Sequence, residues 1–203
     1  AGHRLLRSLL VTTALMELGF AVPMNIGIVL LADDAGWGPG GLGLVLGGWG
    51  LGAAVGALAL TVVGRVPRGG PVLPVGMAAM AASLIGIAFA PGLGAGIGCG
   101  AVLGVCTGIV GSSLNAFIQT ASAPGALGRV TALQMLFGVG LIPLLYPVAG
   151  IVASAYGPAV IFVGGGATVF VGVVVACVCG PFDTTGTASG HGRVPVTQQS
   201  SDA

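Results

Sequence analysis

Six stretches of the chain, 9–31, 41–63, 72–90, 93–116, 130–154 and 159–180, are apolar almost throughout, with short breaks between them. Each is close to the ~20 residues a helix needs to cross the hydrocarbon core of a bilayer. No other feature constrains the fold as much. In lipid a backbone must satisfy its own polar groups, which helices and closed barrels do. Charged residues make up 5% of the chain, against roughly 25% in a typical soluble domain. A soluble chain of 203 residues could not cover its surface with so few, and a disordered chain would be polar. The sequence predicts an all-α membrane protein with six transmembrane helices over 1–180. The polar segment 181–203 is expected to be a disordered cytoplasmic tail. The first stretch is too long for a signal-peptide core and no small-residue cleavage site follows it. The chain starts at Ala1 rather than Met, which suggests a fragment or a processed product.

The breaks carry an orientation. Arg4 and Arg7 precede the first span, Arg65 and Arg68 separate the second and third, Arg129 separates the fourth and fifth, and Arg193 follows the sixth. With six alternating crossings every arginine falls on one side, and Asp33 and Asp34 fall on the other. The positive-inside rule makes the arginine side, and so both termini, cytoplasmic. Trp37 and Tyr156 are expected at the outer interface, where amphipathic rings are favoured.

Several function classes are disfavoured. A net charge of +1 gives no field to attract nucleic acid. Cys99, Cys106, Cys177 and Cys179 all lie in apolar runs, so a disulfide framework is not expected. His3 and His191 lie near the two ends, far from any cluster that could hold zinc, so neither a metal nor another cofactor is expected. "GPGGLG", 38–43, has the spacing of a dinucleotide loop but follows no strand. Ser112 and Ser113 have no histidine within the spans to serve as base. An enzyme is therefore not expected.

Within the spans, glycine, proline and polar residues are placed unevenly. Gly48, Gly52 and Gly56 recur every four residues in the second span, as do Gly96, Gly100, Gly104 and Gly108 in the fourth. Such stripes let helix backbones approach closely in lipid. They suit a sliding interface and a static one equally. Setting Ser and Thr aside, the strongly polar side chains are Glu17 and Asn25 in the first span, Asn115 in the fourth and Gln134 in the fifth, with Gln119 just past the fourth. Polar groups in a membrane usually face a bundle interior or a water-filled cavity. The first, fourth and fifth spans are therefore expected to line something, and the third and sixth to face lipid or support the bundle from outside. Pro23 frees the Gly19 carbonyl in the first span. Pro143 and Pro147 free those of Val139 and Pro143 in the fifth. Kinks are expected at these prolines, either opening the helices or only shaping their packing.

The segment 115–158, "NAFIQTASAPGALGRVTALQMLFGVGLIPLLYPVAGIVASAYGP", resembles the major facilitator superfamily of transporters, and most of all its bacterial drug- and siderophore-exporter branch. The loop before the eleventh helix of that branch commonly reads Pro-x-x-Leu-Arg-Gly-Arg-Val. Pro124, Leu127, Gly128, Arg129 and Val130 match it in kind, without its first Arg. Gly140, Pro143 and the pair Ala149–Gly150 match the helix that follows. The segment 30–58 looks like the seventh-to-eighth helix junction, and "GRVPRGG", 64–70, is a remnant of the cytoplasmic motif without its Asp. The resemblance implies the C-terminal six-helix half of a major facilitator fold, built as two inverted three-helix repeats with substrate bound near mid-membrane. It implies alternating access, export, a bacterial inner-membrane location, and a partner that is either a missing N-terminal half or a second copy.

Glu17 lies about 12 Å into the first span at 1.5 Å per residue, near mid-depth. Intramembrane carboxylates are functional by default. Glu17 is thus the proton-coupling candidate, with lipid, protons and a small amphipathic substrate as partners. The alternative is a carboxyl that bonds a neighbouring helix and never titrates. Asn25, Asn115, Gln119 and Gln134 are candidates for a cavity wall or gate, or for interhelical hydrogen bonds worth ~0.6 kcal/mol each. A non-transporting six-span scaffold or assembly subunit, and a half-size transporter acting as a homodimer, stay open.

Overall fold

The computed structural model describes residues 2–63, 72–121 and 142–179, together with positions 128, 132, 135, 136 and 140. The regular structure among these residues is helical. The first span is one continuous rod: α1 (Gly2–Val22), a π turn (Pro23–Gly27) and α2 (Ile28–Asp34). Then follow α3 (Gly38–Val63), α4 (Val72–Ala88) and α5 (Leu93–Ala121), a 3-10 turn (Ile142–Leu145), α6 (Tyr146–Tyr156) and α7 (Ala159–Cys179). Three helices, Val11–Asp34, Gly38–Val62 and Leu93–Ala116, are long and apolar enough to cross a membrane. The other apolar helices, Leu73–Ala88, Ile142–Tyr156 and Ala159–Val175, are shorter over the described residues.

The helix ends follow local chemistry. At Gly36 the backbone turns left-handed, with φ of +65°. The Gly36 N–H then bonds the Asp33 carbonyl and the Trp37 N–H bonds the Ala32 carbonyl. This is a Schellman stop, and glycine suits it because it has no Cβ to clash. Gly157, with φ of +84°, ends α6 by donating to the Ala153 carbonyl. Pro143 lies in the 3-10 turn and Pro147 in the first turn of α6. A missing N–H costs least in a first turn. Over 142–156 the prolines thus fall in a 3-10 turn and at a helix start. Val139 lies outside the described residues.

Contacts at the glycines set the direction of each helix. A Cβ on Gly48, Gly52 or Gly56 of α3 would run into Ile97, Ala101 or Val105 of α5. One on Gly100, Gly104 or Gly108 would run into Val45, Trp49 or Ala53. Partner numbers rise together, so α3 and α5 are parallel. Elsewhere they run in opposite senses. Gly76 meets Val110 and Gly86 meets Cys99, so α4 is antiparallel to α5. Gly166 meets Ala81 and Gly172 meets Met77, so α7 is antiparallel to α4. Gly27 meets Ile161 and Gly19 meets Val169, so α1 and α7 are antiparallel.

The main packing runs α3–α5–α4–α7–α1. It closes into a ring where the Phe20 and Trp49 rings approach, 5.7 Å between centroids. Val45, Met77, Met80, Leu84, Leu103, Val110, Phe162 and Val169 fill the interior. The third and sixth spans, expected on the outside, are α4 and α7 here, and they occupy the middle of the row. Met77, Met80, Leu84 and Ile87 of α4 are fully buried. Their freedom from strongly polar groups suits a packed interior as well as it suits lipid, so polarity could not tell the two apart. Their outer faces, with Val75, Phe89, Phe170 and Val171, remain exposed.

Candidate functional site

Glu17 lies on α1 in a row of residues about one turn apart: Thr13, Glu17, Ala21, Met24 and Ile28. Four of the five are buried, and Glu17 is exposed. The exposed stripe of the helix runs elsewhere, through Val11, Asn25 and Val29. The carboxylate therefore sits at an opening in an otherwise sealed surface, and not on that stripe. Among the described residues nothing bonds or pairs with it. Three residues further on, Phe20 packs against Trp49 of α3. Trp49 Nε1 donates to Thr107 Oγ1 of α5 at 3.2 Å, and Thr107 in turn donates to the Gly104 carbonyl at 2.8 Å. One short chain of contacts thus runs from beside Glu17 into the α3–α5 seam.

The two amide candidates whose side chains are described, Asn25 and Asn115, do not bond Glu17. Asn25 is exposed, and its Nδ2 donates to the Ala21 carbonyl of its own helix at 2.8 Å. Asn115, near the far end of α5, is exposed and donates to the Gly111 carbonyl at 3.0 Å. Ser113 does likewise to Ile109. Back-bonding along the helix satisfies a polar side chain without a partner helix. Gln119 lies on α5, but its side chain is outside the described residues, as is Gln134. Arg65, Arg68, Arg129 and Arg193 also lie outside them.

Of the glycines in the two stripes, six form the α3–α5 seam. Gly96 does not, because it underlies the Trp37 ring, which lies 2.8 Å from where its Cβ would be. Trp37 is thereby half-buried against α5. The contact between α1 and α7 has no four-residue glycine stripe to mark it. There a Cβ on Gly19 would lie 2.6 Å from the Gly165 carbonyl, and the Pro23 ring fills the notch at Gly165. The readable signal was the glycine triplet 164–166 facing a proline-bearing span. Trp49 and Thr107 were also missed, because setting Ser and Thr aside removed one end of their hydrogen bond.

Among the described residues no three His, Cys, Asp or Glu side chains group to hold a metal ion. No protein-family model matches the chain, and no curated protein matches it.

Proposed function

We propose that the chain is a six-span membrane domain forming one half of a major-facilitator-type secondary transporter, with Glu17 exchanging the proton that drives substrate movement. One observation carries this reading. Number the spans one to six, with α1–α2 as the first, α3, α4 and α5 as the second to fourth, the 142–156 region as the fifth and α7 as the sixth. Among the described residues, exchanging spans one to three with four to six maps each main packing pair onto another pair that touches, the fifth with the first by a smaller contact than the second with the fourth. Second with fourth becomes fifth with first, and third with fourth becomes sixth with first. Third with sixth maps onto itself. Three-helix repeats joined in one chain have opposite orientations in the membrane, which is the inverted-repeat design of many transporters.

The helix directions support six crossings. If α3 and α5 cross a bilayer the same way, the chain between them must return, and α4 is antiparallel to both. The same holds between α5 and α7, both antiparallel to α4, where α6 lies on the return path. The turns 35–37, 89–92 and 157–158 then share one side with Asp33 and Asp34. The surface of α3 turned away from α5 also fits a half-molecule. Gly40, Gly43, Gly47 and Gly50 have open space where a side chain would be, room for a helix of a second half or a second copy. Amphipathic small molecules suit such a site, and export follows the family resemblance.

A six-span scaffold is favoured by the back-bonded Asn25, Ser113 and Asn115, which spend donors on their own helices. The experiment that separates the readings is Glu17→Gln in the complete protein in inverted vesicles. Proton release on addition of amphipathic cations is followed with a pH-sensitive dye. Coupled release in the parent and none in Glu17→Gln is the expected result. Equal signals from both would remove Glu17 from the mechanism, and no signal from either would favour the scaffold.

A further inference from the structure

The rod of the first span holds an extra residue. In a 3.6-residue helix a step of four residues drifts by about 40°. Gly19, Pro23 and Gly27 are spaced by four, yet all three lie against α7. Gly19 meets Gly165 and Val169, Pro23 meets Gly165, and Gly27 meets Ile161 and Phe162. A plain α-helix would carry Gly27 about 80° round from Gly19. The π turn, closed by the Ile28 N–H on the Pro23 carbonyl, spaces its bonds five residues apart instead of four. It absorbs the drift and keeps α1 and α2 on one partner.

Asn25 lies inside that turn, and its Nδ2 bonds the Ala21 carbonyl at 2.8 Å. That carbonyl is the acceptor which the N–H of residue 25 takes in an α register. The side chain thus supplies a donor where the α register would supply a backbone one. Pro23 opens the ladder two residues earlier, since it has no N–H to give Gly19. We infer that Asn25 is a positioning residue: it holds the π register of Pro23–Gly27 and so aims the Glu17 carboxylate. An α register would turn α1 against α2 by about one residue position, ~100°, and would swing Glu17, together with Thr13 and Ala21, to another face of the rod relative to α2 and its contacts on α7. That Glu17 exchanges a proton rests on the reading above. The positioning does not.

Two cysteine pairs report the two segments. Leu15 Cβ lies 3.5 Å from the Cβ position of Gly172, at the lower edge of the roughly 3.5–4.5 Å a disulfide requires. That pair reads α1. Gly27 with Ile161 reads the other end of the turn, since the Ile161 Cγ2 is 3.1 Å from the Gly27 Cβ position. A rod in α register cannot keep both pairs in place. Each pair is installed separately, as Leu15→Cys with Gly172→Cys or Gly27→Cys with Ile161→Cys. The background is the full chain in membranes with its own cysteines replaced, and disulfide yield is measured after mild oxidation. Both pairs are expected to close with Asn25 present. They are also expected to close with Asn25→Ser, whose hydroxyl can donate to the same carbonyl. Asn25→Leu is expected to cut the yield of at least one pair several-fold. Deleting Ile26 from the Asn25→Leu chain is expected to restore it, because the extra residue is gone and the faces realign. Full yield of both pairs in Asn25→Leu overturns the inference. A loss that the deletion does not repair overturns it too, since the cause is then misfolding and not register. No transport is measured, so either result leaves the reading of Glu17 to its own test.

Discussion

At the scale of single residues, glycines of the same helix do opposite jobs. Gly52 and Gly104 face carbonyls of Ala101 and Trp49 so closely that no Cβ fits. Gly47, a turn away on α3, has nothing within 4 Å. We expect Gly104→Ala to destabilise the bundle by about 1–3 kcal/mol through overpacking, read as a lower midpoint in a thermal melt in detergent. Gly47→Ala is expected to leave the midpoint unchanged or raise it slightly, since alanine favours helix over glycine by ~1 kcal/mol. Trp49→Phe removes one interhelical hydrogen bond, and a loss near 0.6 kcal/mol is expected in the same assay. The four-residue stripes were legible in the sequence as contact surfaces. Which glycine meets which backbone was not, and Gly96 shows why: its neighbour, Trp37, comes from the preceding turn rather than from α3.

Between residue and molecule stand the helices, and here burial departs most from the polarity pattern. α4 has no strongly polar side chain, yet it packs on both α5 and α7 and holds Met77, Met80, Leu84 and Ile87 fully buried. Met80→Ala is expected to cost about 2–5 kcal/mol, because it opens a cavity at a fully buried position of α4. Val75→Ala, on the exposed face of the same helix, is expected to cost under ~0.5 kcal/mol. Urea or SDS titration of the purified protein distinguishes the two. Proline positions marked where helical geometry changes, at Pro23, Pro143 and Pro147. They did not say how it changes. Pro23 opens a π turn because α7 is close and rewards the realigned face, whereas Pro143 and Pro147 fall in a 3-10 turn and the helix start after it.

For the molecule as a whole, the directions of the helices make a prediction independent of any substrate. Ala35→Cys, Pro91→Cys and Pro158→Cys each place a thiol in one of the turns 35–37, 89–92 and 157–158. All three are expected to react with a membrane-impermeant maleimide from the same side of intact cells. A cysteine at Arg65 is expected to react from the opposite side. A mixed pattern among the three turns would show that the count of crossings is wrong. The arginine distribution predicts that alternation from charge in the connecting segments, and the antiparallel packing of α4 against α5 and α7 is compatible with it.

The sequence alone determined that the chain is helical with several helices apolar enough for a membrane, and that a carboxylate, Glu17, interrupts the first apolar stretch. Those follow from hydropathy and from the punctuation of glycine and proline, which act locally. Tertiary structure alone decided that α4 and α7 are central, that Glu17 sits in a gap in a sealed row, and that Asn25 and Asn115 bond their own helices. In a chain with 5% charged residues nearly every helix face is apolar. Hydrophobicity therefore cannot choose between lipid and core, and the choice passes to close approach at glycine and to the register of one π turn.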